Sequence, residues 1–103
     1  MADDFGKWSE TMNADEGTQD ICDHVKSQVV KKTGQDFAQY KSVQYRQLLG
    51  IVGASHYLIK VHVGDVNYIH LYVIRIVYPN ATPTLEGVQQ NKTKDDPLEP
   101  FTN

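Results

Sequence analysis

At Gly34 the hydrophobic period of this chain changes from that of a helix to that of a strand, and it does not change back. Before Gly34, Ile21, Cys22, Val25, Val29 and Val30 recur at helical spacing, while Asp20, Asp23, Lys26 and Lys31 fall on the face left for water. Asn13 followed by Glu16 has the N-cap to N3 spacing of a capping box. Gly34 suits the left-handed residue that closes a helix. The pattern predicts one amphipathic helix over residues 14–33.

Beyond Gly34 the period is two. Val43 and Tyr45 alternate with Gln44 and Arg46. Tyr57, Ile59, Val61 and Val63 alternate with His56, Leu58, Lys60 and His62. Gly64-Asp65 marks a turn, after which Ile69, Leu71 and Val73 alternate with His70, Tyr72 and Ile74. A last strand is expected over 84–92, after a turn region from Pro79 to Pro83. One helix and a run of short antiparallel strands bury their apolar surface by laying the helix over one face of the sheet. With 103 residues, 40% of them hydrophobic, the chain can build one modest core and no second one. The expected organisation is an extended, mobile arm over 1–12 and a single α+β domain over 13–103. Pro97 and Pro100 keep the tail from being helical throughout, and Leu98 and Phe101 are its candidates to pack back onto the sheet.

Several function classes are disfavoured by the same residues. The net charge is −3, and the densest basic run is Lys31-Lys32 with acids close by, so a nucleic-acid partner is not expected. No apolar run approaches the roughly 18 residues of a membrane span, and the acidic Met1-Ala2-Asp3-Asp4-Phe5 start is unlike a signal peptide. Cys22 is the single cysteine, which rules out an internal disulfide and points to a cytoplasmic protein. The sequons Asn80-Ala81-Thr82 and Asn91-Lys92-Thr93 carry no meaning without secretion.

Catalysis and metal binding find little support. Cys22 and His24 are two apart on a helix and point in different directions, and Cys22 fits the apolar stripe. His62 and His70, if Val61 pairs with Leu71, face each other across the outer side of a hairpin. Two imidazoles fall short of a structural zinc site, so they read as exposed cross-strand residues that charge near pH 6.5. Neither an enzyme, a metal site nor a cofactor is expected.

Several separate segments resemble one family, the stefins, which are the disulfide-free type 1 cystatins. Tyr57-Leu58-Ile59-Lys60-Val61-His62-Val63-Gly64-Asp65 looks like the central strand and turn of a stefin, and His70-Leu71 falls where stefins have a His-Leu pair. Gln19-Asp20-Ile21-Cys22-Asp23-His24-Val25-Lys26 is similar to the stefin helix, and Ser42-Val43-Gln44-Tyr45 to the strand after it. Asn91-Lys92-Thr93-Lys94-Asp95-Asp96 with Phe101 matches the closing segment. The likeness runs collinearly over residues 6–101. It implies a cystatin-like roll, with one long helix across a twisted antiparallel sheet of four to five strands. It also implies reversible inhibition of papain-like cysteine proteases, of papain or cathepsin L, H or B type, by a wedge that fills the active-site cleft.

The resemblance places the three parts of that wedge. Gly6 falls at the arm glycine, where a residue without Cβ lets the backbone lie close to a crowded cleft. Phe5 would fill an apolar subsite, a burial worth roughly 1.5–3 kcal/mol. The first hairpin loop, of Gln-x-Val-x-Gly type in the family, carries two more residues here. Gln47 and Gly53 can be its outer residues around Leu48, Leu49, Gly50, Ile51 and Val52, whereas a gapless count from the next strand puts Gly50 to Ala54 there. An even insertion keeps both flanking strands facing the same way and pushes the tip out by about 3.4 Å. The second loop reads Val77, Tyr78 and Pro79 where stefins commonly show Leu-Pro. Tyr78 either stacks on a protease or lies on its own surface. Trp8 either pins the arm to the body or adds contact area.

A competing reading starts from the same first loop. The stretch Leu48 to Val52 is apolar, uncharged and β-prone, which suits self-association. Lengthened hairpins also favour domain exchange. On that reading the chain is a stefin-fold interaction protein that dimerises or binds a non-protease partner. The inhibitor reading expects a monomer able to form a domain-swapped dimer.

Overall fold

The computed structural model describes residues 7–49, 52–76 and 82–101. In chain order they form β1 (Lys7–Trp8), β2 (Met12–Asn13), α1 (Glu16–Thr33), β3 (Lys41–Leu49), β4 (Ala54–Gly64), β5 (Asn67–Ile76) and β6 (Pro83–Lys92). All strand pairings are antiparallel, in the order β1-β3-β4-β5-β6, with β2 also paired to β3. The expected α+β architecture of one helix on an antiparallel sheet is what the chain forms.

The helix begins two residues later than the Asn13–Glu16 spacing predicts. Asn13 is still paired with Gln44 in β2, and the Ala14 N–H donates to Val43 O at 2.9 Å. The backbone leaves the ladder only at Asp15, whose carboxylate accepts from the Thr18 N–H at 2.9 Å and completes a capping box with Thr18. At the other end Gly34 sits at φ 73° and donates its N–H to Val30 O at 2.7 Å, the left-handed closure expected of a glycine there.

Ile21, Cys22, Val25 and Val29 press the helix onto Tyr57, Ile59, Val61, Ile69, Leu71, Val73 and Val88 of the sheet. Polar pins fix its position. Gln19 Oε1 accepts from Ser42 N and Ser42 Oγ at 2.7 and 3.0 Å, beside the register shift in β3. Gln28 Oε1 accepts from Leu85 N at 3.0 Å, and the Tyr40 hydroxyl donates to Cys22 O at 2.8 Å.

The outer face of the sheet departs from the alternation. Leu58, Lys60 and His70 are buried there, because the tail beyond β6 lies over that face. Leu98 is buried, and Phe101 meets the Tyr72 ring edge-on at a centroid distance of 6.2 Å. The Lys60 ammonium donates to the carbonyls of Lys94 and Asp96, and Asp96 Oδ2 accepts from the Thr93 N–H at 2.7 Å. The sheet is thus covered on both sides, by the helix and by an irregular strap.

The hairpin register corrects the reading of His62 and His70. Asp65 and Val66 form the turn, Val61 pairs with Ile69 rather than Leu71, and His70 stands opposite Lys60. A bulge between His62 and Gly64 tightens the hairpin. His62 instead stacks on Tyr68 at 4.6 Å and takes up Gln39 and the Asp65 carbonyl.

Candidate functional site

Strand register brings three chain segments to one end of the sheet. Lys7, which follows Gly6, pairs with Leu49, the last residue of β3. Ala54, the first residue of β4, pairs with Ile76, the last of β5. Arg75 pairs with Pro83, where β6 begins. The β4–β5 turn at Asp65-Val66 lies at the opposite end.

This end exposes large apolar side chains. Among the described residues the exposed large hydrophobics are Leu49 at 41%, Val52 at 94%, Val66 at 72% and Ile76 at 53% of their full accessibility. All but Val66 belong to this end. Val52 leads into Gly53, whose φ of 85° favours glycine although open space surrounds it. A depression of about 310 Å³ lies elsewhere, at the turn end, lined by Phe37, Val63, Tyr68 and Gln90 among others.

Of the wedge residues named from the sequence, Gln47, Leu48 and Leu49 lie inside β3, and Val52 and Gly53 lie between β3 and β4. Gln47 pairs with Tyr57 on one side, and on the other it exchanges hydrogen bonds with Ser9: the Ser9 N–H donates to Gln47 O at 2.8 Å, and the Gln47 N–H to Ser9 Oγ at 3.0 Å. Leu48 and Leu49 continue the strand against Trp8 and Lys7. Phe5, Gly6, Gly50, Ile51, Val77, Tyr78 and Pro79 lie outside the described residues.

The base of the arm is tied down by a residue the sequence did not single out. Arg46, half-buried on the outer face, donates from Nε to Ser9 O at 2.8 Å and from Nη1 to Leu98 O at 2.6 Å. Beside it the Trp8 ring meets Tyr72 edge-on at 5.8 Å, so Trp8 packs on the body of the protein. No local signal marks Arg46, since its acceptors are main-chain carbonyls at the two ends of the chain.

Nucleophilic chemistry has poor prospects here. Cys22 is fully buried, and burial, then the neighbouring Asp23 carboxylate, push its thiol up to about 12, whereas a reactive cysteine needs its thiolate. His24 is exposed, and its Nδ1 lies 3.3 Å from Asp20 O on its own helix. Among the described residues no group of three His, Cys, Asp or Glu side chains could hold a metal ion, and no helix is long and apolar enough to cross a membrane.

No protein-family model matches the chain. Among characterised proteins it is 38% identical to human (Homo sapiens) Cystatin-B over 97 residues, which is 93% of this chain and 97% of that protein. It is 37% identical to Cystatin-A1 of Sus scrofa over 97 residues, covering 93% of this chain and 92% of the relative. A third relative, the Leukocyte cysteine proteinase inhibitor 1 of Sus scrofa, is 38% identical over 84 residues, 81% of this chain and 80% of its own length.

Proposed function

The chain belongs to the stefin group of the cystatins, and from that premise we propose that it is a reversible inhibitor of papain-like cysteine proteases. One of its relatives is named for inhibiting cysteine proteinases, and a member of this inhibitor family is not an enzyme. The reading is carried by one observation: Leu49, Val52 and Ile76 expose apolar surface together at the sheet end where the arm, the first hairpin and the second hairpin meet.

An edge of this kind inhibits by occupation. Its apolar side chains leave water for the walls of the cleft, each contributing on the order of 1.5–3 kcal/mol if fully buried. The catalytic thiolate is covered without a peptide bond being offered to it. Phe5 and Gly6 would enter one side of the cleft, the Gln47 to Gly53 segment its centre, and Val77, Tyr78 and Pro79 the other side. Cathepsins L, H and B and papain are the protease class to test, and the cytoplasm is the compartment the free Cys22 suits. The inhibitor acts as a monomer, with strand exchange through the first hairpin as its route to a dimer.

Titration of papain of known active-site concentration with the full-length protein tests this. The expected result is loss of activity with a one-to-one end point and recovery on dilution. Full activity at micromolar protein would overturn it in favour of the interaction module, whose mark is self-association that does not depend on the arm.

A further inference from the structure

The base of the arm, residues 7–9, is held along β3, and a further tie to it lies on the outer face of the sheet. Ser9 is held by β3 through its own N–H and hydroxyl, and its carbonyl is taken by Arg46. The same guanidinium takes the carbonyl of Leu98. A planar fork with several donors in fixed directions can serve two acceptors at once, and a charged donor strengthens both bonds. Aromatic contacts run parallel to this bridge: Trp8 on Tyr72 at 5.8 Å, and Tyr72 on Phe101 at 6.2 Å. The hydroxyl of Tyr72 lies 2.9 Å from His56 Nδ1, which steadies the middle ring.

We propose that Arg46 is a positioning residue for the N-terminal arm, coupling the aim of the arm to the docking of the C-terminal tail. This rests on the inhibitor reading and extends it to a residue that touches no protease. Phe5 stands four residues ahead of Ser9, at most about 14 Å of extended chain. The more firmly residues 7–9 are held to the body, the less freedom the arm has left to lose when it docks on a protease. Loosening that base by removing one of its ties makes the ordering on binding cost more.

The test uses full-length wild type, Arg46→Met, Arg46→Lys and Phe101→Ala, the first and second also carrying Phe5→Ala. In the free protein, acrylamide quenching of Trp8, the single tryptophan, reports the clamp without any protease. Quenching is expected to rise clearly in Arg46→Met and Phe101→Ala, with Arg46→Lys intermediate because an ammonium cannot reproduce the two-armed fork. In papain inhibition, Phe5→Ala should weaken wild type about tenfold or more and Arg46→Met by less than about threefold.

Equal penalties for Phe5→Ala in both backgrounds would overturn the coupling. Trp8 quenching that stays at the wild-type level in folded Arg46→Met would overturn the clamp itself. Should Arg46→Met fail to unfold cooperatively, Phe101→Ala decides by the same quenching criterion. A wild type that leaves papain fully active refutes the inhibitor reading, and with it the arm's role in inhibition, while the quenching series still decides the clamp.

Discussion

His70 shows how far one residue can depart from what its alternation predicts. It occupies the outer face of β5, yet it is fully buried, and neither ring nitrogen has a hydrogen-bonding partner among the described residues. Burial, followed by the nearby cations of Lys60 and Lys92, pushes its pKa down to about 4, with the Asp96 carboxylate opposing. The unfolded chain then binds a proton near pH 6.5 that the folded chain refuses until about 4. Folding stability is therefore whole above 6.5 and falls as the pH drops toward 4. Urea unfolding at pH 7 and pH 5 should differ by about 1–2 kcal/mol from this residue, and His70→Leu should flatten the difference. An equally steep pH dependence in the variant would assign it to other groups. The imidazole was legible as an outward-facing strand residue. Its burial was not, because Leu98 and the segment before it lie far along the chain and contain no periodic signal pointing to β4 or β5.

At the scale of elements, local patterns carried most of the reading. The helix and the strands around Tyr45, Ile59 and Leu71 each hold enough alternating or helical residues to declare themselves, while the strand around Val88 was expected from its place after the Pro79–Pro83 turn. The pairing of Lys7–Trp8 and Met12–Asn13 with β3 could not be read, since two residues have no period. The cap moved from Asn13 to Asp15 for a related reason: strand pairing kept Asn13 extended. The other helix end behaves as composed. Gly34 holds φ 73° with open space where a Cβ would go, so Gly34→Ala meets conformational strain alone. It should destabilise by about 1 kcal/mol, seen as a lower urea midpoint at unchanged slope. No shift would mean that the helix can end one residue earlier without loss.

The molecule as a whole divides its apolar surface unequally between its two ends. Leu49, Val52 and Ile76 gather where the arm and hairpins meet, while Val66 stands alone at the far turn among the described exposed hydrophobics. On the proposed function, that asymmetry marks the end that would enter a protease cleft. Val52→Asp should weaken papain inhibition about tenfold or more without moving the unfolding midpoint, and Val66→Asp should change neither. Equal effects at both ends would deny the edge its special status. The family was legible in the sequence because the framework segments of helix and sheet are collinear with it. The candidate site was named from the resemblance, because Phe5, Gly6, Gly50, Ile51, Val77, Tyr78 and Pro79 show no periodic pattern of their own.

Because one guanidinium of β3 holds Ser9 and Leu98 together, the head and tail of this polypeptide are neighbours in space. Such a fold can be re-cut. Joined by a short linker and opened at Asp65-Val66, the same sheet would begin in the middle of its present order, and β1 would follow β6 instead of preceding every other strand.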